Sequence, residues 1–263
     1  MNLPLRTLHS NELYRALCNG QTLQPLTERW PGMTIEDAYH VSLQVVQQRV
    51  AAGDRVVGKK IGVTSLAVQQ MLNVHQPDFG FLTQGMWFIN GAEISLSANK
   101  LIQPRAEGEI AFMLKHDLQG PGVTAEDVLA ATDYVMPCFE IVDSRIHDWR
   151  IRIQDTVADN ASCGVFVLGD QQLDPRALDL PQLQMQVFKN GQKISQGVGS
   201  AVQGNPLNAV AWLANTLGEF GIPFKAGEII LSGSLVPLEP VQAGDRMELS
   251  IAGFGTAAVS FVA

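Results

Sequence analysis

The sequence predicts an α+β protein, with a helical cap over about residues 1–55 followed by a mixed-sheet domain over residues 56–263. Three observations carry this. Apolar residues recur at helical spacing up to about Gly53. Short apolar runs punctuated by glycine dominate thereafter. No internal repeat, low-complexity tract or long linker divides the rest. The 263 residues are 46% hydrophobic and 17% charged, enough to bury a substantial core.

The elements follow in order. Asn11 to Leu17 is a short amphipathic segment, and Pro31-Gly32 marks a turn. Thr34 caps a helix whose first turn holds Glu36 and Asp37, as the helix dipole favours. Ala38, Val41, Val45, Val46 and Val50 form its apolar face. Residues 55–63 form a glycine-punctuated strand, and Thr64 or Ser65 caps a short helix through Leu72. A strand around Glu107, a helix from Thr124 to about Ala131, a strand around Glu140 and a strand over 164–168 follow. Gln184 to Lys189, closed by Asn190-Gly191, is half of a hairpin. Pro206 opens a helix through Trp212 to Gly218. The remainder is β, over 228–232, 246–251 and 256–262.

A net charge of −8, without a basic run interleaved with aromatics, argues against a nucleic-acid partner. Cys18, Cys138 and Cys163 are odd in number and widely spaced, so neither a disulfide framework nor a Cys-x-x-Cys metal site is indicated. They read as reduced thiols of a cytoplasmic protein, the latter two in the core. The N-terminus lacks a signal-peptide pattern, and no apolar run reaches membrane-spanning length. The five histidines show no zinc-binding spacing. Neither a Gly-x-Ser-x-Gly elbow nor a strand-linked Gly-x-Gly-x-x-Gly is present, which leaves serine hydrolase and nicotinamide chemistry with little support.

The informative stretch is Pro104-Arg105-Ala106-Glu107-Gly108-Glu109-Ile110-Ala111-Phe112. On a strand, Glu107 and Glu109 project to one face, where like charges repel and resist desolvation. Glu140 lies inside a second apolar run. Three converging carboxylates suit a hard divalent cation such as Mg²⁺ or Mn²⁺. A solvated outer face is the alternative, although the apolar continuation after Glu109 fits it less well; the pattern alone leaves both open. Lys60 sits in an apolar strand, either snorkelling to solvent or serving proton transfer or anion binding. The glycines near it resemble a phosphate loop, but Lys60 occupies the hydroxyl position, so a nucleotide triphosphatase is rejected. Asp78, in Gln76-Pro77-Asp78-Phe79-Gly80, reads as turn chemistry or a site residue. Residues 155–162 form a polar loop, either ligand-binding or a structural Asx/ST turn.

Taken together these segments resemble the fumarylacetoacetate hydrolase superfamily. The resemblance rests on Val57-Gly58-Lys59-Lys60-Ile61-Gly62-Val63-Thr64, the Asp78 segment, the Glu107 segment and Asp155-Thr156-Val157-Ala158-Asp159-Asn160-Ala161-Ser162-Cys163-Gly164, with Gly204 to Ala209 and Gly244-Asp245-Arg246. Within the superfamily the chain is similar to hydratases of 2-hydroxypenta-2,4-dienoate from aromatic meta-cleavage pathways. The resemblance implies a barrel-like mixed sheet as the catalytic domain, a homo-oligomer, and a divalent ion, Mg²⁺ or Mn²⁺, on Glu107, Glu109 and Glu140. It places Lys60, Asp78 and Ser162 around a small 2-oxo or 2-hydroxy-dienoate: Lys60 at the enolate oxygen, Asp78 at the water, Ser162 at the substrate carboxylate. Gly108 departs from the family pattern, which expects Ala or Val, but it points away from the ligands. Two alternatives compete. One is a 4-oxalocrotonate decarboxylase of the same superfamily, with Arg145 or Arg152 serving a second carboxylate. The other is a non-catalytic subunit that binds a partner such as a pathway decarboxylase.

Overall fold

A computed structural model describes residues 1–64, 69 and 75–263. The short helix expected through Leu72 falls largely outside the described residues. Helices α1 (Leu3–Asn19), α2 (Leu26–Arg29) and α3 (Ile35–Ala51) precede the first strand. α1 is longer than expected because Asn2 caps it, accepting from Leu5 N–H, and Pro4 suits its first turn. α3 begins as expected. Thr34 Oγ1 accepts from Asp37 N–H (3.0 Å), and the Asp37 carboxylate returns a bond to Thr34 N–H.

The strands β1 (Val56–Gly62), β2 (Asp78–Thr83), β3 (Trp87–Ile89), β5 (Arg105–Leu114), β6 (Thr132–Val142), β7 (Cys163–Leu168), β10 (Ile229–Leu231) and β11 (Glu239–Pro240) form one mixed sheet. Its order is β2-β1-β10-β5-β6-β7-β3, with β11 also against β5. A second sheet, β4-β13-β12-β8-β9, is built from Glu93–Ser95, Gly255–Val262, Arg246–Ile251, Gln184–Lys189 and Gln192–Val198. Helices α4 (Ala125–Ala131), α5 (Ile153–Ala158) and α6 (Pro206–Glu219) complete the chain. Asn205 caps α6 by accepting from Leu207 N–H. No described helix is long and apolar enough to cross a membrane.

The large sheet is apolar on both faces, as the unbroken runs in β5 and β6 foretold. One face turns Ile61, Phe79, Ile110, Phe112, Phe139 and Ile141 into the main core. That core is shared with the second sheet through Met185, Leu249 and Val259, and with α1, α3 and α6 through Leu13, Val41 and Leu213. The opposite face carries a separate cluster containing Leu82, Ala111, Met136, Cys138, Phe166 and Leu231. Residues paired across the strands show that Lys60, Leu231, Ala111 and Met136 share this second face. By alternation so do Glu107, Glu109 and Glu140, and it is here that polar chemistry interrupts the apolar surface.

Candidate active site

Long paired strands bring the three carboxylates together. Glu107 and Glu109 lie two residues apart on β5, and β6 runs antiparallel with Glu140 directly opposite Glu107. One oxygen from each lies within 4.8 Å of the others. Glu109 and Glu140 are fully buried, while Glu107 keeps partial access to solvent. Glu109 Oε2 accepts from Gly233 N–H (2.8 Å), but among the described residues Glu109 Oε1 and both Glu140 oxygens have no hydrogen-bond partner. Gly233 takes φ +100°, and a Cβ there would strike Thr64, so glycine is required at this donor. Burial, followed by the charge of Glu140, pushes the Glu107 carboxyl up to about 8. Burial and the same neighbours hold Glu109 well above the usual carboxylate range. Buried carboxylate oxygens without donors are costly unless protonated or bound to a cation. The all-oxygen donor set fits Mg²⁺ or Mn²⁺.

Lys60 and Asp78 join this cluster. Lys60 is buried, with Nζ 3.3 Å from Glu140 Oε1. Burial alone would depress the ammonium, but Glu140 and Asp78 outweigh it and hold the Lys60 pKa above its ordinary value. Lys60 therefore stays a cationic donor. Asp78, expected in a turn, is instead the first residue of β2, paired with Gly62. Its Oδ1 is buried without a hydrogen-bond partner among the described residues, and burial followed by the Glu140 charge raises its carboxyl against the pull of Lys60. A Cβ on Gly62 would collide with the Asp78 carboxylate and lie 3.3 Å from Lys60 Nζ. Gly62 thus leaves the room in which these two groups face each other. The adjacent Lys59 points to the other face, where it pairs with Glu228 and the Pro223 carbonyl.

Residues 155–162 are not a simple loop. They form the short helix α5 and then a turn in which Asn160, Ala161 and Ser162 take φ of 55°, 50° and 52°. Each non-glycine residue in this region costs roughly 1–2 kcal/mol, so the turn must be held from outside. Arg145 does much of this: it donates to Asp159 Oδ1 (2.6 Å) and to the carbonyls of Asp159 and Cys163. Ser162 is buried, with its Oγ 3.0 Å from Thr156 Oγ1. Its neighbour Cys163 lies close enough to Glu140 for that charge to raise the thiol further after burial. Asn160 turns its backbone oxygen toward Gly80, on the face that carries Lys60 and Asp78.

The structure therefore gathers Glu107, Glu109, Glu140, Lys60 and Asp78 at one point, with the Ser162 turn beside them. Arg145 is buried behind that turn, and Arg152 is exposed at the start of α5. A Cβ on Gly108 would run into Met185 of the second sheet, which puts it on the face away from the carboxylates. Gly233 and Asn160 were not singled out from sequence. The Gly following the apolar run 229–231, and an Asn able to adopt positive φ, were the available signals.

This fold is that of a known family. The signature of the fumarylacetoacetate hydrolase C-terminal domain matches residues 52–262, and the chain belongs to that family. Among relatives, it is 68% identical over 249 residues to a 2-hydroxyhexa-2,4-dienoate hydratase of Comamonas testosteroni, covering 95% of this chain and 94% of that one. It is 64% identical over 212 residues to a 2-hydroxypent-2,4-dienoate hydratase of Pseudomonas putida, covering 81% and 95%. The structure superposes with TM-score 0.96 on the 4-oxalocrotonate decarboxylase of Pseudomonas putida G7 complexed with magnesium and adipate. That protein is 34% identical, and the match covers 100% of this chain and 99% of the other.

Proposed function

We propose that the protein is a hydratase that adds water to a short 2-hydroxy-2,4-dienoate, 2-hydroxypenta-2,4-dienoate first, giving 4-hydroxy-2-oxopentanoate. The observation that carries this reading is the buried set of carboxylate oxygens, without hydrogen-bond partners among the described residues, beside a cationic lysine and a further buried acid. The 64–68% identity to proteins named as dienoate hydratases supports the choice of reaction. Glu107, Glu109 and Glu140 would hold Mg²⁺ or Mn²⁺, which supplies Lewis-acid stabilisation of negative charge developing on the substrate.

The chain's own groups divide the remaining work. Lys60, held protonated, hydrogen-bonds to the C2 oxygen as the dienol ketonises: the enol proton passes to solvent water and solvent returns one to C5, so no net proton is gained or lost. This yields an α,β-unsaturated ketone. Asp78 takes a proton from water as its oxygen bonds to C4, and that proton then goes to C3, which restores the carboxylate. Ser162 Oγ donates to the substrate carboxylate. Each acid–base contribution of this kind is worth about 10²–10⁴-fold. Residues 1–55 act as the helical cap on this catalytic domain.

The decarboxylase reading needs a cation for a second carboxylate. Arg145 is committed to Asp159 behind the Ser162 turn, and Arg152 is exposed. Arg105, near the accessible Glu107, is held over the Trp149 ring at 4.6 Å. These placements favour a substrate with one carboxylate and a short apolar tail. The test is a product assay of the purified protein with Mg²⁺, with and without chelator, on fresh 2-hydroxypenta-2,4-dienoate and on 2-oxo-3-hexenedioate. Metal-dependent 4-hydroxy-2-oxopentanoate is the expected result; CO₂ from the diacid alone would replace the hydratase with a decarboxylase.

A further inference from the structure

The strand that begins with Asp78 lies at one edge of the large sheet. One side of β2 is bonded to β1. Its other side has no strand neighbour among the described residues, and such an edge leaves N–H and C=O groups without ladder partners. At Phe81 a single side chain takes both. Phe81 N–H donates to Asn160 Oδ1 (2.8 Å), and Asn160 Nδ2 donates to the Phe81 carbonyl (2.9 Å). The carboxamide thus replaces a strand neighbour.

Asn160 is buried and opens the left-handed turn that ends at Ser162. The approach is close: a Cβ on Gly80 would lie 2.5 Å from the Asn160 backbone oxygen and 3.2 Å from its Oδ1. At its far end the turn is fixed again. The Ser162 carbonyl accepts from Asp143 N–H (2.7 Å), and Ser162 N–H donates to the Asp159 carbonyl (3.0 Å). Covering a strand edge does not require three successive residues at positive φ. Such a conformation is kept where its placement matters and its surroundings over-determine it.

We propose that Asn160 is a positioning residue that clips the strand carrying Asp78 to the turn carrying Ser162. The water-activating carboxylate and the hydroxyl that grips the substrate are thereby held in one register. This inference rests on the roles given to Asp78 and Ser162 above. It assigns Asn160 no contact with substrate.

The test compares Asn160→Ala, Gly80→Ala, Asp78→Asn and the Asn160→Ala/Asp78→Asn double variant. Gly80→Ala presses the turn off the strand, chiefly at the Asn160 backbone oxygen, while keeping the carboxamide in the chain, so the test survives if Asn160→Ala folds poorly. In Asn160→Ala, amide exchange at Phe81 accelerates while calorimetric Mg²⁺ affinity stays within about twofold, and kcat falls by about 10²-fold, the cost of misplacing a reacting group by about 1 Å. Gly80→Ala lowers kcat in the same direction. In the Asp78→Asn background the further loss from Asn160→Ala shrinks to under about threefold, because both changes act on one group. Parental kcat and KM in both single variants, with Asp78→Asn inactive, would leave the Asp78 role standing and reduce Asn160 to an edge cover. Losses that multiply in full would likewise overturn the clip. If Asp78→Asn turns over like the parent protein, the role of Asp78 fails and the inference fails with it.

Discussion

Loading the carboxylate cluster with Mg²⁺ must expel protons, and the number expelled follows from the geometry. Without the ion, burial and mutual repulsion put Glu107 at about 8 and Glu109 well above the ordinary range. A group with pKa about 8 carries its proton in roughly nine molecules of ten near pH 7. Binding near pH 7 therefore releases close to one proton from Glu107, and the raised Glu109 carboxyl adds to the release in the same direction. Acidification fills these sites further, so affinity falls as pH falls. Each displaced proton weakens binding about tenfold per pH unit, ~1.4 kcal/mol, so the step from about pH 7 to about pH 6 costs close to tenfold through Glu107, with Glu109 acting in the same direction. Above about pH 8 Glu107 is already ionised, and its share of the slope disappears. Calorimetric titration in buffers of different ionisation enthalpy reads the proton count directly. Glu107→Gln should bind Mg²⁺ more weakly and release about one proton fewer. An affinity constant within a factor of two from about pH 6 to about pH 8, with no buffer-dependent heat, would refute the reasoning, because the ion would not then be displacing protons from buried acids.

Three further outcomes follow from other parts of the structure. Lys60→Ala should cut kcat by about 10²–10⁴-fold while circular dichroism stays unchanged; parental turnover removes Lys60 from the mechanism. Gly108→Val drives a side chain into Met185 and should cost ~1–3 kcal/mol in urea unfolding. Its Mg²⁺ affinity should not change, and a loss there would place Gly108 on the wrong face. Arg145→Met leaves Asp159 buried without its partner and should cost about 3–5 kcal/mol, read as a fall in the unfolding midpoint. A midpoint equal to the parent's would show that the turn is held by other contacts.

Strand alternation was enough to put Glu107 and Glu109 on one face, because a period of two needs no tertiary information. That Glu140 stands opposite Glu107 depends on the register of β5 with β6, which a single run of residues does not encode. The Thr34 cap and the helix from Pro206 were legible because capping chemistry is local. Asp78 was misplaced in a turn because Pro77 masks the start of a strand whose alternation follows it. The 155–162 segment was read as loop because α5, at six residues, is too short to show a helical period. Its left-handed continuation is imposed by Arg145 and Phe81 from distant parts of the chain.

Three local oddities of the sequence, a lysine in one apolar strand and acids in two others, are resolved by one another. When all are ionised, Glu107, Glu109, Glu140 and Asp78 place four negative charges against the single positive charge of Lys60. The face beneath them is apolar, through Leu231, Ala111 and Met136, so little solvent is at hand to screen the excess. Protonation relieves it without the ion, and a dication relieves it with the ion bound. The same apolar floor that makes the metal-free cluster costly strengthens every charge interaction when the cluster is filled. Lys60 cannot be traded for a neutral residue without leaving Glu140, already short of donors, facing the other acids uncompensated. The lysine therefore offsets part of the charge that the acids bring together. Its removal should weaken cation selectivity less than it raises the pH needed to ionise the cluster.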